Sequence, residues 1–288
     1  MKQRIASLLL LLVAVAWGAS FVFMKDVLDR QSVNSFLFYR FAMAAIVLLI
    51  IHPQILQKID TDILKYGGIT GAFLGAGFIL QTYGLTMTGA AVTGFITGLY
   101  VVATPLFEQF FGGQRLGSRV WISIAIATTG LALLSIKGFS VGLGEMLVLL
   151  SALCYTGQII GLSKWSKGRD LWTLAWVQIT VVAVITGIAS LAEGIETPPD
   201  GEVWAVIIFT AIVSTVTAFI IQTWSQAIID STKAAVIMTM EVVFSAIFAV
   251  TIGGEILSTR TLIGGTLVVI SMYVIVFHES TKKSELKR

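Results

Sequence analysis

Two ionisable residues lie deep in apolar sequence, and each could do chemistry there. Arg40 belongs to the stretch 33–51. About seven residues into a helix, at about 1.5 Å per residue, it would sit roughly 10 Å below the end. A charge at that depth costs about 2.5–3.5 kcal/mol on insertion scales, so something must offset it. The planar fork of arginine matches a substrate carboxylate. A structural ion pair or a carbonyl contact between helices would serve as well. Glu241 falls near the middle of 234–252. Desolvation and any cation beside it would set its affinity for a proton. It is therefore the candidate for proton coupling, or it simply neutralises Arg40.

Other polar and aromatic residues fall at depths compatible with a cavity: Trp17, Gln81, Tyr100, Tyr155, Gln158, Gln178 and Gln222. An amide facing lipid is costly, so the glutamines should face other helices, either binding substrate or bonding helix to helix. Glu108 lies near a helix end within reach of Arg115, and Glu145 reads as a surface residue. Trp121, Trp165, Trp172 and Trp204 stand at segment ends as interfacial anchors, while Trp176 and Trp224 fit either belt or core.

The chemistry that the chain lacks is as informative. His52 and His278 stand apart at segment ends, and Cys154 is the one cysteine, so no metal cluster or disulfide can be read. No Gly-x4-Gly-Lys-Ser/Thr loop is present for ATP. An intramembrane enzyme would need a nucleophile or metal constellation that these residues cannot build. The expectation is no cofactor, no metal and no catalysis.

Composition sets the solvent. The chain is 56% hydrophobic and 12% charged, with a mean hydropathy of +0.91. Soluble domains are about one-quarter charged, so lipid must surround most of this one. A bilayer crossing takes roughly 20 apolar residues. Ten segments qualify: 5–24, 33–51, 66–86, 89–111, 119–136, 143–163, 171–192, 203–228, 234–252 and 261–277. The start, Lys2-Gln3-Arg4 and an apolar run to Ala14-Val15-Ala16, resembles a signal peptide. The apolar run continues to Met24, and removal would leave nine spans, so the expectation is an uncleaved first span.

With the N-terminus cytoplasmic, fourteen of the nineteen Lys and Arg residues fall on the inner side and four (Lys25, Arg30, Lys137, Arg260) on the outer, with Arg40 inside a span. That asymmetry places both termini in the cytoplasm. It also explains the net charge of +3 without a nucleic-acid partner.

The chain nearly repeats itself at an offset of 141 residues. Phe78-Ile79-Leu80-Gln81-Thr82-Tyr83 matches Phe219-Ile220-Ile221-Gln222-Thr223-Trp224, and Gly112-Gly113-Gln114-Arg115-Leu116 matches Gly253-Gly254-Glu255-Ile256-Leu257. The offset covers five spans, an odd number, so the halves 1–140 and 141–288 would be inverted. Inverted repeats are a common basis of alternating access. Gly67, Gly71 and Gly75 lie on one helix face, as do Gly94 and Gly98, where small residues permit close approach.

Several segments, taken in order, resemble a known family. They are Trp17-Gly18-Ala19-Ser20-Phe21-Val22, Phe38-Tyr39-Arg40-Phe41, the run Gly94–Val102 followed by Pro105, and Glu241 followed by Gly253-Gly254-Glu255. Together they are similar to the EamA-type drug/metabolite transporter superfamily, over essentially the whole chain. Val242 stands where that pattern commonly has proline, and Gln114 where it often has glutamate. The resemblance implies an all-α integral membrane protein of two five-helix repeats that exports or exchanges small metabolites. Arg40 favours carboxylate compounds, amino acids among them. A passive channel or facilitator is the alternative, although a channel would more naturally show a polar ring.

Overall fold

The computed structural model describes residues 2–112, 118–137, 140–166, 168–228 and 237–285. They form α1 (Lys2–Val27), α2 (Val33–Ile51), α3 (Thr61–Met87), α4 (Ala90–Thr97), α5 (Tyr100–Gly112), α6 (Ser118–Ser135), α7 (Leu143–Trp165), α8 (Leu171–Glu193), α9 (Gly201–Ala211), α10 (Ala218–Ile228), α11 (Met240–Thr251) and α12 (Thr259–Glu285). A two-residue antiparallel ladder, Ile136–Lys137 with Ser140–Val141, precedes α7.

The helices are apolar on both faces, as a bilayer demands. On α2, Phe36, Phe41 and Leu48 are buried while Ile46, Ile50 and Ile51 are more than half exposed. Among the described residues six helices are long and apolar enough to cross a membrane, and four shorter apolar ones run Ala90–Thr104, Trp121–Leu134, Met240–Thr251 and Thr259–Val274.

Several expected spans differ in detail. The third begins at Thr61, not 66, because Asp60 caps it by accepting from the Ile63 N–H at 2.7 Å. The fourth is broken at Gly98-Leu99 into α4 and α5. The eighth is continuous, but its middle, Ile212–Thr217, is wound as a π-helix between α9 and α10.

Contacts show which connections share an end. At one end Arg30 pairs with Asp200 and Glu202 at 2.5 and 2.7 Å. Asn34 and Tyr83 both donate to Glu193 there, and Arg260 reaches the Ala132 carbonyl. The Asp200 carboxyl is held below its ordinary value, first by the Val203 N–H and then, against some desolvation, by Arg30. At the opposite end Lys58 pairs with Asp170 at 2.7 Å, and Arg169 with Asp62. Burial alone would raise the Asp170 carboxyl, but Lys58 and Thr173 pull it below the usual range.

The glycine face of α3 lies on α8. A Cβ on Gly67 would meet Val177, and one on Gly71 would lie 2.8 Å from the Val181 Cβ. Gly77 and Gly84 give α7 the same closeness, at Tyr155 and Val148. Gly94 and Gly98 meet Ser245 of α11 and Met272 of α12. Glu145, expected at the surface, is only 3% exposed. It stands in the first turn of α7, and its carboxylate folds back over Gly142, where a side chain would collide with it. The expectations for Glu108, Gln114 and Arg115 lie outside the described residues and side chains.

Candidate functional site

Arg40 is 3% exposed. Its Nε donates to Thr215 Oγ1 at 3.2 Å, and its Nη1 faces Met24 Sδ at 3.4 Å. The guanidinium lies 5.1 Å from the Phe41 ring centre and 4.9 Å from that of Phe78. Aromatic faces attract a desolvated cation, by about 2 kcal/mol where water is excluded. These contacts offset part of the cost of burial, yet none of them supplies a negative charge. Among the described residues Arg40 has no ion-pair partner, and an Arg40–Glu241 pair is absent.

A polar line runs on from this cation. Phe78 packs edge-on to Phe41 at 4.7 Å and to Tyr155 at 5.6 Å. The Tyr155 hydroxyl donates to Gln81 Oε1, and Gln81 Nε2 donates to Thr97 Oγ1, both at 2.9 Å. Thr97 ends α4, at the break before Tyr100. Tyr155 lies within electrostatic reach of both Arg40 and Glu241, and Tyr100 within reach of Glu241. The 141-residue offset pairs Tyr100 with Glu241. Each follows an interruption of its helix, at Gly98-Leu99 and at Thr239. Broken helices are a recurring feature of secondary-transporter binding sites.

Trp17 faces the same region from α1. Its Nε1 donates to the Ser214 carbonyl at 2.8 Å, and Ser20 and Ser214 join hydroxyls at 2.7 Å. The remaining glutamines lie elsewhere. Gln158 Nε2 donates to Gln178 Oε1 at 3.0 Å, tying α7 to α8. Gln222 faces Met238. Trp176 donates to the Ala45 carbonyl at 3.0 Å and is a core residue. A cavity of about 340 Å³ opens between α2, α8 and α10, lined by Leu48, Trp172, Ile179, Val216, Phe219 and Trp224 among others. Arg40 does not line it, but Val216 belongs to the π-helical turn that holds Arg40.

The profile of the EamA-like transporter family matches twice along the chain, over residues 4–136 and 142–277. The chain belongs to the EamA-like transporter family. It is similar to two proteins of Archaeoglobus fulgidus, each named an uncharacterized transporter. One is 30% identical over 275 residues, covering 95% of this chain and 86% of the relative. The other is 24% identical over 283 residues, covering 93% and 96%. The crystal structure of another protein shares the fold, with a TM-score of 0.65 and 16% identity over 94% of this chain and 96% of that one.

Of the residues singled out in the sequence of this EamA-like protein, Arg40, Gln81 and Tyr155 lie along this line, and Met24, Phe78, Thr97 and Thr215, which touch them or each other, were not among them. Phe78 opens the duplicated block around Gln81 and reads as ordinary apolar filling. Thr215 sits in the run Ser214-Thr215-Val216-Thr217, whose hydroxyls in an apolar span were the signal available. Glu255, in the Gly-Gly-Glu segment, caps another element, accepting from the backbone N–H groups of Ala90 and Ala91 at the start of α4.

Proposed function

We propose that this protein is a secondary transporter that exports or exchanges small carboxylate-bearing metabolites, amino-acid-like compounds among them, by alternating access. It would cross the cell membrane ten times as two inverted five-helix repeats, 1–140 and 141–288, with both termini cytoplasmic. The six long and four shorter apolar helices support that count. The double match of the family profile supports the division.

One observation carries the substrate class. Arg40 is enclosed by Met24, Thr215, Phe41 and Phe78 and lacks a carboxylate among the described residues. A buried cation without a resident anion suits an anion that comes and goes. Phe78, Tyr155, Tyr100 and Trp17 would flank the apolar part of the substrate, and Gln81 its polar edge. Gln158, Gln178 and Gln222 would serve helix packing near the path. Glu241 is the candidate proton carrier.

Counterflow in proteoliposomes tests this. Saturable uptake of labelled carboxylate driven by unlabelled carboxylate is expected, and Arg40→Lys, which keeps charge but loses the fork, should raise the half-saturating concentration about tenfold or more. A conductance linear in concentration would mark a channel, and wild-type affinity in folded Arg40→Lys would remove the carboxylate site.

A further inference from the structure

The two halves differ where their repeat would make them alike. At the 141-residue offset Arg40 on α2 corresponds to Val181 on α8, and the π-helical turn Ile212–Thr217 corresponds to 71–76 of α3. In the α3/α8 seam Val181 packs against Gly71, and α3 runs as one α-helix, Thr61–Met87. In the counterpart seam an arginine replaces the valine, and the facing helix opens into a π turn.

That turn changes what the backbone offers. In an α-helix the Ala218 N–H would bond the Ser214 carbonyl. Here it goes to the carbonyls of Val213 and Thr215, and the Ser214 carbonyl takes Trp17 Nε1 instead. The Thr215 hydroxyl is likewise redirected. A threonine in a regular helix bonds back three or four residues, but this one donates to the Thr210 carbonyl, five residues back, at 2.9 Å. Its proton is thereby committed, and its oxygen accepts from Arg40 Nε at 3.2 Å. Thr215 itself is fully buried.

We propose that Thr215, presented by the π turn, is the positioning residue that fixes how Arg40 takes its ligand: with Nε occupied, a carboxylate is bound end-on by the Nη1 and Nη2 edge. The inference rests on the reading of Arg40 as the anion site. Three features support it. Nε is the only nitrogen of the fork held by an oxygen among the described residues, because Nη1 has the weak acceptor Met24 Sδ and Nη2 has none. Phe41 and Phe78 lie beside the guanidinium and restrict where it can go. The π turn places Trp17 and Arg40 on adjacent residues, Ser214 and Thr215, so one local distortion sets both side chains. A ligand arriving at the Nη edge has only a thioether to displace.

The test is a binding series on purified protein in nanodiscs. The probes are the twenty common amino acids and phenylacetate, each matched with its carboxamide, against wild type, Thr215→Val, Thr215→Ser and Arg40→Lys. For carboxylates that bind wild type, Thr215→Val should weaken binding about tenfold, the scale of one hydrogen bond to a charged group. Thr215→Ser should bind within about threefold of wild type, since the hydroxyl returns. Carboxamide binding should not change. If carboxylate binding depends on Arg40 but is the same in Thr215→Val as in wild type, the positioning role is refuted. Equal losses for carboxylate and carboxamide refute it too. If no carboxylate binds in an Arg40-dependent way, the carboxylate reading itself falls, and this inference with it. Should the valine variant not fold, Met24→Leu carries the test. It clears the acceptor that Nη1 has among the described residues, so carboxylates should bind at least as tightly as to wild type. A tenfold loss there would overturn the end-on edge.

Discussion

Arg40 and Glu241 were legible because the bilayer penalises charge so steeply that an ionised residue in an apolar run must have a use. Their surroundings were not legible. The alternative of mutual neutralisation is absent among the described residues, and the arginine rests instead on two phenyl rings, a thioether and a hydroxyl. None of these stands out in a chain with 17 Phe and 8 Met. Glu241, the proposed proton carrier, stands in the first turn of α11. Glu241→Gln keeps the shape and removes the charge. Such a carrier should still exchange substrate across the membrane but fail to concentrate it. The measurement is accumulation in proteoliposomes with and without an imposed pH gradient. Wild-type accumulation that ignores the gradient would return Glu241 to a purely structural place.

At the scale of elements, periodicity and length located the helices, while the breaks inside them stayed hidden. Gly98-Leu99 interrupts a span without proline, and the π turn at 212–217 arises from β-branched and hydroxyl residues that look like ordinary helix filling. Residues at both breaks bond partners outside the local turn: Thr97 takes Gln81, and Ser214 and Thr215 take Trp17 and Arg40. The glycine face of α3 was readable, and it separates two neighbouring positions sharply. Gly68 has nothing within 4 Å of an added Cβ, whereas Gly71 would meet the Val181 Cβ and the Gln178 backbone at 2.8–3.1 Å. Gly68→Ala should stabilise the protein by about 0.5–1 kcal/mol through backbone entropy. Gly71→Ala should cost about 1–3 kcal/mol through overpacking, set against that same gain. Thermal unfolding of both variants in one detergent checks the pair. Equal melting temperatures would mean that the α3/α8 seam can yield.

At the scale of the whole molecule, two blocks that keep their spacing are what point to a duplication. Its sidedness rests on charge counting alone. Ion pairs gather the connections at each end: Arg30 meets the acidic connection 193–202, and Lys58 and Arg169 meet Asp170 and Asp62 opposite. In a Cys154→Ala background, Pro198→Cys should label with an impermeant maleimide from outside intact cells, and Lys164→Cys only after the membrane is opened. The reverse pattern would invert the topology. The hold of Glu255 on α4 bears on how the chain is made. Helix α4 has eight residues, and Gly89 before it offers no side chain to cap it. Its first N–H groups wait for a carboxylate 165 residues further on. Isolated helices of that length are marginal. During synthesis α4 therefore spends most of the chain's growth without its final cap. The first half, translated alone, would carry an unfinished helix next to Thr97 and Tyr100, and only the arrival of the closing segments completes it.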